Sequence, residues 1–174
     1  MNRIVNTQPS DLPFIYWLYD EAIAYQKRNG YPTWPDYDKD VLRQDIAQQL
    51  QFKVLNDGSI HGIFSICYAD EMVWRERENG QAFYLHRIVV NPKQKGKRLF
   101  GRVLNWARQR AQEKQRSAIR MDTWANNPTI IAYYQNFGFK IVGYYTTPDS
   151  EALPVQQRSN DIVLLEYILD QTKR

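Results

Sequence analysis

Apolar positions recur at two spacings along this chain, and the switches between them mark out its elements. Arg3 to Asn6 reads as a short first strand. Ser10 has the character of a helix N-cap, with Pro13 in the first turn. Leu12, Ile15, Tyr19, Ala22 and Ile23 then fall on one helical face. Gly30 closes that helix, and Pro32 and Pro35 prevent its continuation. Asp38 is placed to cap a second helix that turns Val41, Leu42, Ile46 and Leu50 inward.

The spacing then shortens. Phe52 to Asn56 and Ile60 to Ala69 flank Asp57-Gly58, a hairpin signal. A polar connection, 70–80, leads to a strong strand, Ala82 to Val90, stopped by Asn91-Pro92. After the loop 93–98 a helix runs from about Leu99 to Gln115, burying Leu99, Val103, Trp106, Ala107 and Ala111. Ala118 to Thr123 is the next strand, and Asn127-Pro128 opens a short helix closed by Gly138. Lys140 to Thr146 and Asp161 to Leu169 are the last strands. Helices, a strand meander, then strand, helix, strand, helix and two strands predict an α/β sandwich around a mixed sheet.

Composition narrows the classes. The 174 residues, 43% of them hydrophobic, suit one domain over 1–174 and exclude a disordered chain. No apolar run approaches the ~20 residues of a membrane span, and residues 1–6 lack a signal-peptide core. A single cysteine, Cys67, excludes an internal disulfide. A cytoplasmic protein is expected. The net charge of +4 is unevenly spread: residues 87–116 hold ten Lys or Arg and one acid, Glu113, while the rest of the chain is acidic. Basic charge focused on one loop and its helix suits an anionic ligand. Arg108, Arg110, Lys114 and Arg116 are also explained as a solvated helix face; the cluster from Lys93 to Arg98 is less so.

The most specific segment is 127–139, NPTIIAYYQNFGF. It resembles the C-terminal motif of the GNAT superfamily, through Asn127, Tyr134, Gly138 and Phe139. The segment 84–101, YLHRIVVNPKQKGKRLFG, stands where that family keeps its CoA-binding strand, loop and helix. The resemblance covers residues 5–169 as architecture. It implies a splayed central sheet and transfer of an acetyl group from acetyl-CoA to an amine by direct attack. It further implies that backbone groups of Ile88, Val89 and Val90 hold the pantetheine arm. The pyrophosphate would rest on Lys95, Gly96, Lys97, Arg98, Leu99 and Phe100, at a helix N-terminus that favours anions. Here the sequence departs from the family, because Arg98 and Phe100 stand where small residues are usual. Either those side chains point away or the loop differs.

Tyr134 reads either as a core tyrosine or, by the resemblance, as the acid that protonates the departing CoA thiolate. Asn127 is a natural N-cap, and in the family this position also bonds pantetheine. Asp122 is a structural carboxylate or the base for the amine. His86, which alternation places on one strand face with Tyr84, Ile88 and Val90, is the other candidate base. Cys67, inside an apolar strand with only His61 near it in sequence, is not expected to act as a nucleophile. No metal is expected, since two isolated histidines and one cysteine lack ligand spacing. The amine acceptor should meet Tyr31, Trp34, Tyr37, Asp70, Glu71, Trp74, Glu76 and Glu78. The competing readings are a GNAT fold that binds CoA without catalysis, and a nucleic-acid-binding module. The latter is disfavoured because Trp106 falls on the buried helix face and no recognition motif is present. Many relatives dimerise, so a homodimer is also an expectation.

Overall fold

The computed structural model describes residues 3–94 and 98–169. The strands are β1 (Arg3–Asn6), β2 (Gln51–Asn56), β3 (Ser59–Cys67), β4 (Ala82–Val90), β5 (Ala118–Trp124), β6 (Lys140–Thr146) and β7 (Asp161–Ile168). The helices are α1 (Leu12–Arg28), α2 (Lys39–Ala47), α3 (Glu71–Trp74), α4 (Leu99–Glu113) and α5 (Pro128–Gln135). The strands form one mixed sheet in the order β1-β2-β3-β4-β5-β7-β6, antiparallel except between β4 and β5.

Local chemistry accounts for the elements. Asp57 and Gly58, at φ 48° and 82°, make the two-residue turn that joins β2 to β3. Asp38 accepts the Asp40 and Val41 N–H groups at the start of α2, and Asn127 accepts Ile130 N–H at the start of α5. Ser10 does not cap α1. Pro9 starts a 3-10 turn ahead of the helix, and Asp11 reaches back to the Gln8 N–H at 2.7 Å. Asp11 also pairs with Lys53 of β2, also at 2.7 Å, which ties the helix start to the sheet.

Both faces of the sheet are covered. On one, α4 buries Leu99, Phe100, Val103, Leu104, Ala107 and Ala111 over Phe64, Leu85, Ile119 and Met121, with Ile131 of α5 beside them. Trp106 lies at the edge of this core, its ring 4.5 Å from that of Phe52. On the other face α1 and α2 pack over Ile63 and Val89. The connection 70–80 contains α3, whose Val73 and Trp74 cover Ala82, Tyr84 and Ala118. Trp74, expected beside the acceptor, is instead fully buried. Tyr84, Arg120 and Glu78 lock this connection down: Tyr84 Oη donates to Glu78 at 2.5 Å, and Arg120 bonds Tyr84 Oη and the Arg77 carbonyl.

Candidate active site

The site follows from an irregularity in β4. Ile63 pairs with Val89 and Ser65 with His86, so β4 carries one residue more than β3 over this stretch. The bulge falls at Arg87, whose backbone is left-handed at φ 48°. It breaks the alternation expected from sequence. Tyr84 and His86 share a face, with rings stacked at 6.3 Å. Beyond the bulge, Ile88 packs instead against the core under α4, and Val89 turns toward α1 and α2. On the opposite edge β4 pairs with β5 through only three residues, ending at Tyr84 and Arg120. Ile88, Val89 and Val90 therefore border a stretch where the two central strands are unpaired.

His86 is the centre of a polar cluster at this opening. Its Nε2 lies 3.3 Å from Asp70 Oδ2 and 3.2 Å from Cys67 Sγ. Its Nδ1 lies 4.0 Å from Asp122 Oδ1. Burial opposes a charge on His86, but the Cys67 sulfur and the Asp70 carboxylate outweigh it and raise the imidazole well above 6.5. Burial pushes Asp122 up from 3.8 to about 6; His86 pulls the other way and Asp70 adds to the rise. The cluster thus favours the charged form of the imidazole, while the Asp122 carboxyl is held above its usual range. The proximity of Cys67 was invisible in sequence, where His61 is the nearer histidine. Donor atoms of Asp70, His86 and Asp122 all lie within 4.8 Å of one another. Linear spacing gave no hint of this meeting of β4, β5 and the connection 70–80.

The motif residues meet on the other side of β5. Tyr134 of α5 is pushed above its usual range by burial, with Tyr133 and Asp122 adding to the effect. Its ring meets Phe100 edge to face at 4.8 Å. Phe100 is 3% exposed and inserted among Phe137, Phe139 and Tyr134. It therefore points into the core and away from the loop before α4. Arg98 takes the left-handed conformation at φ 50° that a glycine would adopt freely, and its side chain is exposed. Arg98, the N-cap residue of α4, makes no side-chain cap bond, which leaves first-turn N–H groups of the kind that favour an anion. Lys95, Gly96 and Lys97 lie outside the described residues. Gly62 lets β3 pass this corner: a Cβ there would sit 2.7 Å from the Val89 carbonyl oxygen and 2.8 Å from Leu99 Cδ1.

A cavity of about 380 Å³ opens beside His86, lined by Asp70, Cys67, Arg87, Asp45, Leu50, Ile66, Leu153 and Gln157 among others. Arg87 pairs with Asp45 of α2, whose Oδ2 also accepts from Ser65 Oγ at 2.8 Å. This network was missed in sequence; the sole signal was a charge in the middle of the apolar run AFYLHRIVV. Of the expected acceptor residues, Asp70 and Glu71 line the cavity. The Trp34 ring lies 5.9 Å from that of Trp124, tilted to it, on the strand face that alternation gives to Asp122. Tyr37 is 8% exposed and packs inside the α1–α2 core. Among the described residues no helix is long and apolar enough to cross a membrane.

Known proteins share this fold. Residues 13–139 match the model of the Acetyltransferase (GNAT) family. A curated relative, the uncharacterized N-acetyltransferase YesJ of Bacillus subtilis (strain 168), is 28% identical over 74 residues, 42% of this chain and 41% of that protein. The match thus spans under half the length of that relative. Among solved structures, a GNAT-family acetyltransferase from Listeria monocytogenes 4b F2365 superimposes with a TM-score of 0.75. It is 22% identical, and the alignment covers 97% of this chain and 95% of that one. An aminoglycoside acetyltransferase in complex with coenzyme A and kanamycin gives 0.71 at 17% identity, covering 97% and 95%.

Proposed function

Because this chain belongs to the acetyltransferase (GNAT) family, we propose that it transfers the acetyl group of acetyl-CoA to a primary amine by direct attack within a ternary complex. The observation that carries this reading is the β4–β5 ladder ending at Tyr84 and Arg120, with Asp122 and His86 at the mouth of the opening. The residues present fit the cosubstrate. Ile88, Val89 and Val90 offer backbone groups along the unpaired edge, and the α4 start, which its N-cap residue Arg98 does not cap, offers N–H groups to a pyrophosphate. When bound, acetyl-CoA supplies an activated acyl carbon and a sulfur leaving group.

The chain's own groups divide the remaining work. Asp122, with a value near 6, takes a proton from the ammonium of the acceptor, whose ordinary pKa of ~10 otherwise leaves it without a lone pair. His86, already protonated, holds Asp122 and Asp70 together and positions them. A β4 N–H near the bulge donates to the thioester oxygen. Tyr134, held protonated by burial, gives its phenolic proton to the departing sulfur as the C–S bond breaks, and the second proton shed by the newly bonded nitrogen restores it. Cys67 takes no part. A cytoplasmic setting belongs to the same proposal.

Isothermal titration of acetyl-CoA and of CoA into the protein tests this reading. Micromolar binding of both, followed by thiol release with an amine, supports it. Binding without turnover across an amine panel leaves a CoA-binding relative without catalysis, and no binding at millimolar ligand refutes the reading.

A further inference from the structure

Among the described residues, Arg87 of β4, at φ 48°, is the only left-handed non-glycine residue that lies within a strand. Others of this kind, such as Asp57 and Arg98, sit in turns or at helix ends. An L-residue loses about 5- to 30-fold in population on entering that region, so it stays there only where its surroundings hold it. The Arg87 guanidinium pairs with Asp45, and the two side chains are only 10% and 12% exposed. Asp45 stands on α2, whose Leu42 and Ile46 are packed into one core with Ile63 and Val89. Its Oδ2 also accepts from Ser65 Oγ at 2.8 Å, and Ser65 is the β3 residue paired with His86, beside the bulge. Side chains from α2 and β3 thus converge on one bulged residue of β4.

The bulge decides which backbone groups reach the gap beside β5. Past it, the Asn91 N–H bonds the His61 carbonyl at 2.8 Å, so Asn91 faces β3. Alternation then turns the N–H groups of Val90 and Ile88 the other way, toward the gap. Without the extra residue the phase would reverse, and these same groups would face β3.

We propose that Arg87 is a positioning residue, held left-handed by Asp45 and Ser65, which aims the Ile88 and Val90 N–H groups at acetyl-CoA. This rests on the acetyltransferase reading and adds the device that sets its cosubstrate edge. Two double variants test it, Asp45→Asn/Arg87→Gly and Asp45→Asn/Arg87→Ala. Both lose the ion pair, and the asparagine spares each an unpaired buried carboxylate. They differ by one methyl group and in backbone preference, since glycine enters the left-handed region freely. Titration should show the glycine variant binding acetyl-CoA about 5- to 30-fold more tightly than the alanine variant, and KM for acetyl-CoA should fall in the same order. Thermal unfolding is followed in parallel. Variants that differ in Tm but bind acetyl-CoA equally overturn the proposal, because the clamp then serves stability alone; tighter binding by the alanine variant overturns it too. Should either variant not fold, Ser65→Ala decides. It takes one hydrogen bond from Asp45, leaves both charges, and should weaken acetyl-CoA binding about fivefold; wild-type affinity overturns the proposal. Failure of the wild-type protein to bind acetyl-CoA overturns the acetyltransferase reading instead, and its own titration reports that separately.

Discussion

Phe100 meets Tyr134 edge to face, with ring centroids 4.8 Å apart. The residue that looked out of place in a phosphate-binding loop is therefore a core residue, and one that props the tyrosine proposed as the acid. Restoring a small residue should not improve the site. Phe100→Gly should cost about 3–5 kcal/mol of stability from cavity formation and lower turnover by loosening Tyr134. Thermal unfolding and acetyl-CoA titration of the variant check this, and a tighter-binding, equally stable variant would refute it.

Tyr134→Phe removes the hydroxyl and keeps the ring that Phe100 packs against. Turnover should fall by about 100-fold or more, with acetyl-CoA affinity nearly unchanged. Unaltered kcat would exclude Tyr134 from proton transfer.

Asp122 and His86 are separable by pH. Activity in kcat/KM should rise with pH through about 6, as Asp122 ionises. Asp122→Asn should abolish that acidic limb. His86→Gln should keep it and move it to higher pH, because the imidazolium pulls the Asp122 value down. The reverse pattern would make His86 the base. Stability gives an independent reading of the same group. The folded value of Asp122 lies above its unfolded 3.8, so the fold loses stability as pH rises from about 4 through 6. Asp122→Asn should therefore gain on wild type across that window, by up to about 3 kcal/mol, while losing activity. Chemical denaturation at pH 4 and pH 7 reads the difference.

Gly62→Ala would place a Cβ 2.7 Å from the Val89 carbonyl oxygen and 2.8 Å from Leu99 Cδ1. The leucine can move; the carbonyl of a paired strand yields less. A loss of about 2 kcal/mol is expected, together with weaker acetyl-CoA binding, since Val89 borders the gap and Leu99 begins α4. Unchanged affinity with normal stability would show that this corner is more pliant than its packing.

Periodicity placed the elements well because each sheet-facing stripe is continuous: Leu99, Val103, Ala107 and Ala111 read as one face in sequence and lie on one face in the fold. Turn and cap chemistry placed the β2–β3 hairpin and the starts of α2 and α5 to within a residue. Strict alternation failed at Arg87, because a bulge depends on the partner strand and leaves no local signature beyond a misplaced charge. Trp74 stands among carboxylates in sequence, a grouping that suits a cationic amine, but it is buried against Tyr84 and Ala118, contacts that only the fold brings about. The Cys67, Asp70, His86 and Asp122 cluster joins β3, β4, β5 and the connection between two of them, and only the folded chain brings these together.

Three rungs of hydrogen bonding are all that join β4 to β5, and they sit at one end. Most proteins are held hardest at their middle strands; this one has its weakest backbone ladder there, spanned by the side chains that α4 lays over Leu85 on one half and Met121 on the other. Amide exchange should be faster along the free edge of β4 than in the outer β2–β3 hairpin. A bound cosubstrate would act as a missing strand, so the lifetime of the folded protein should track the supply of acetyl-CoA around it.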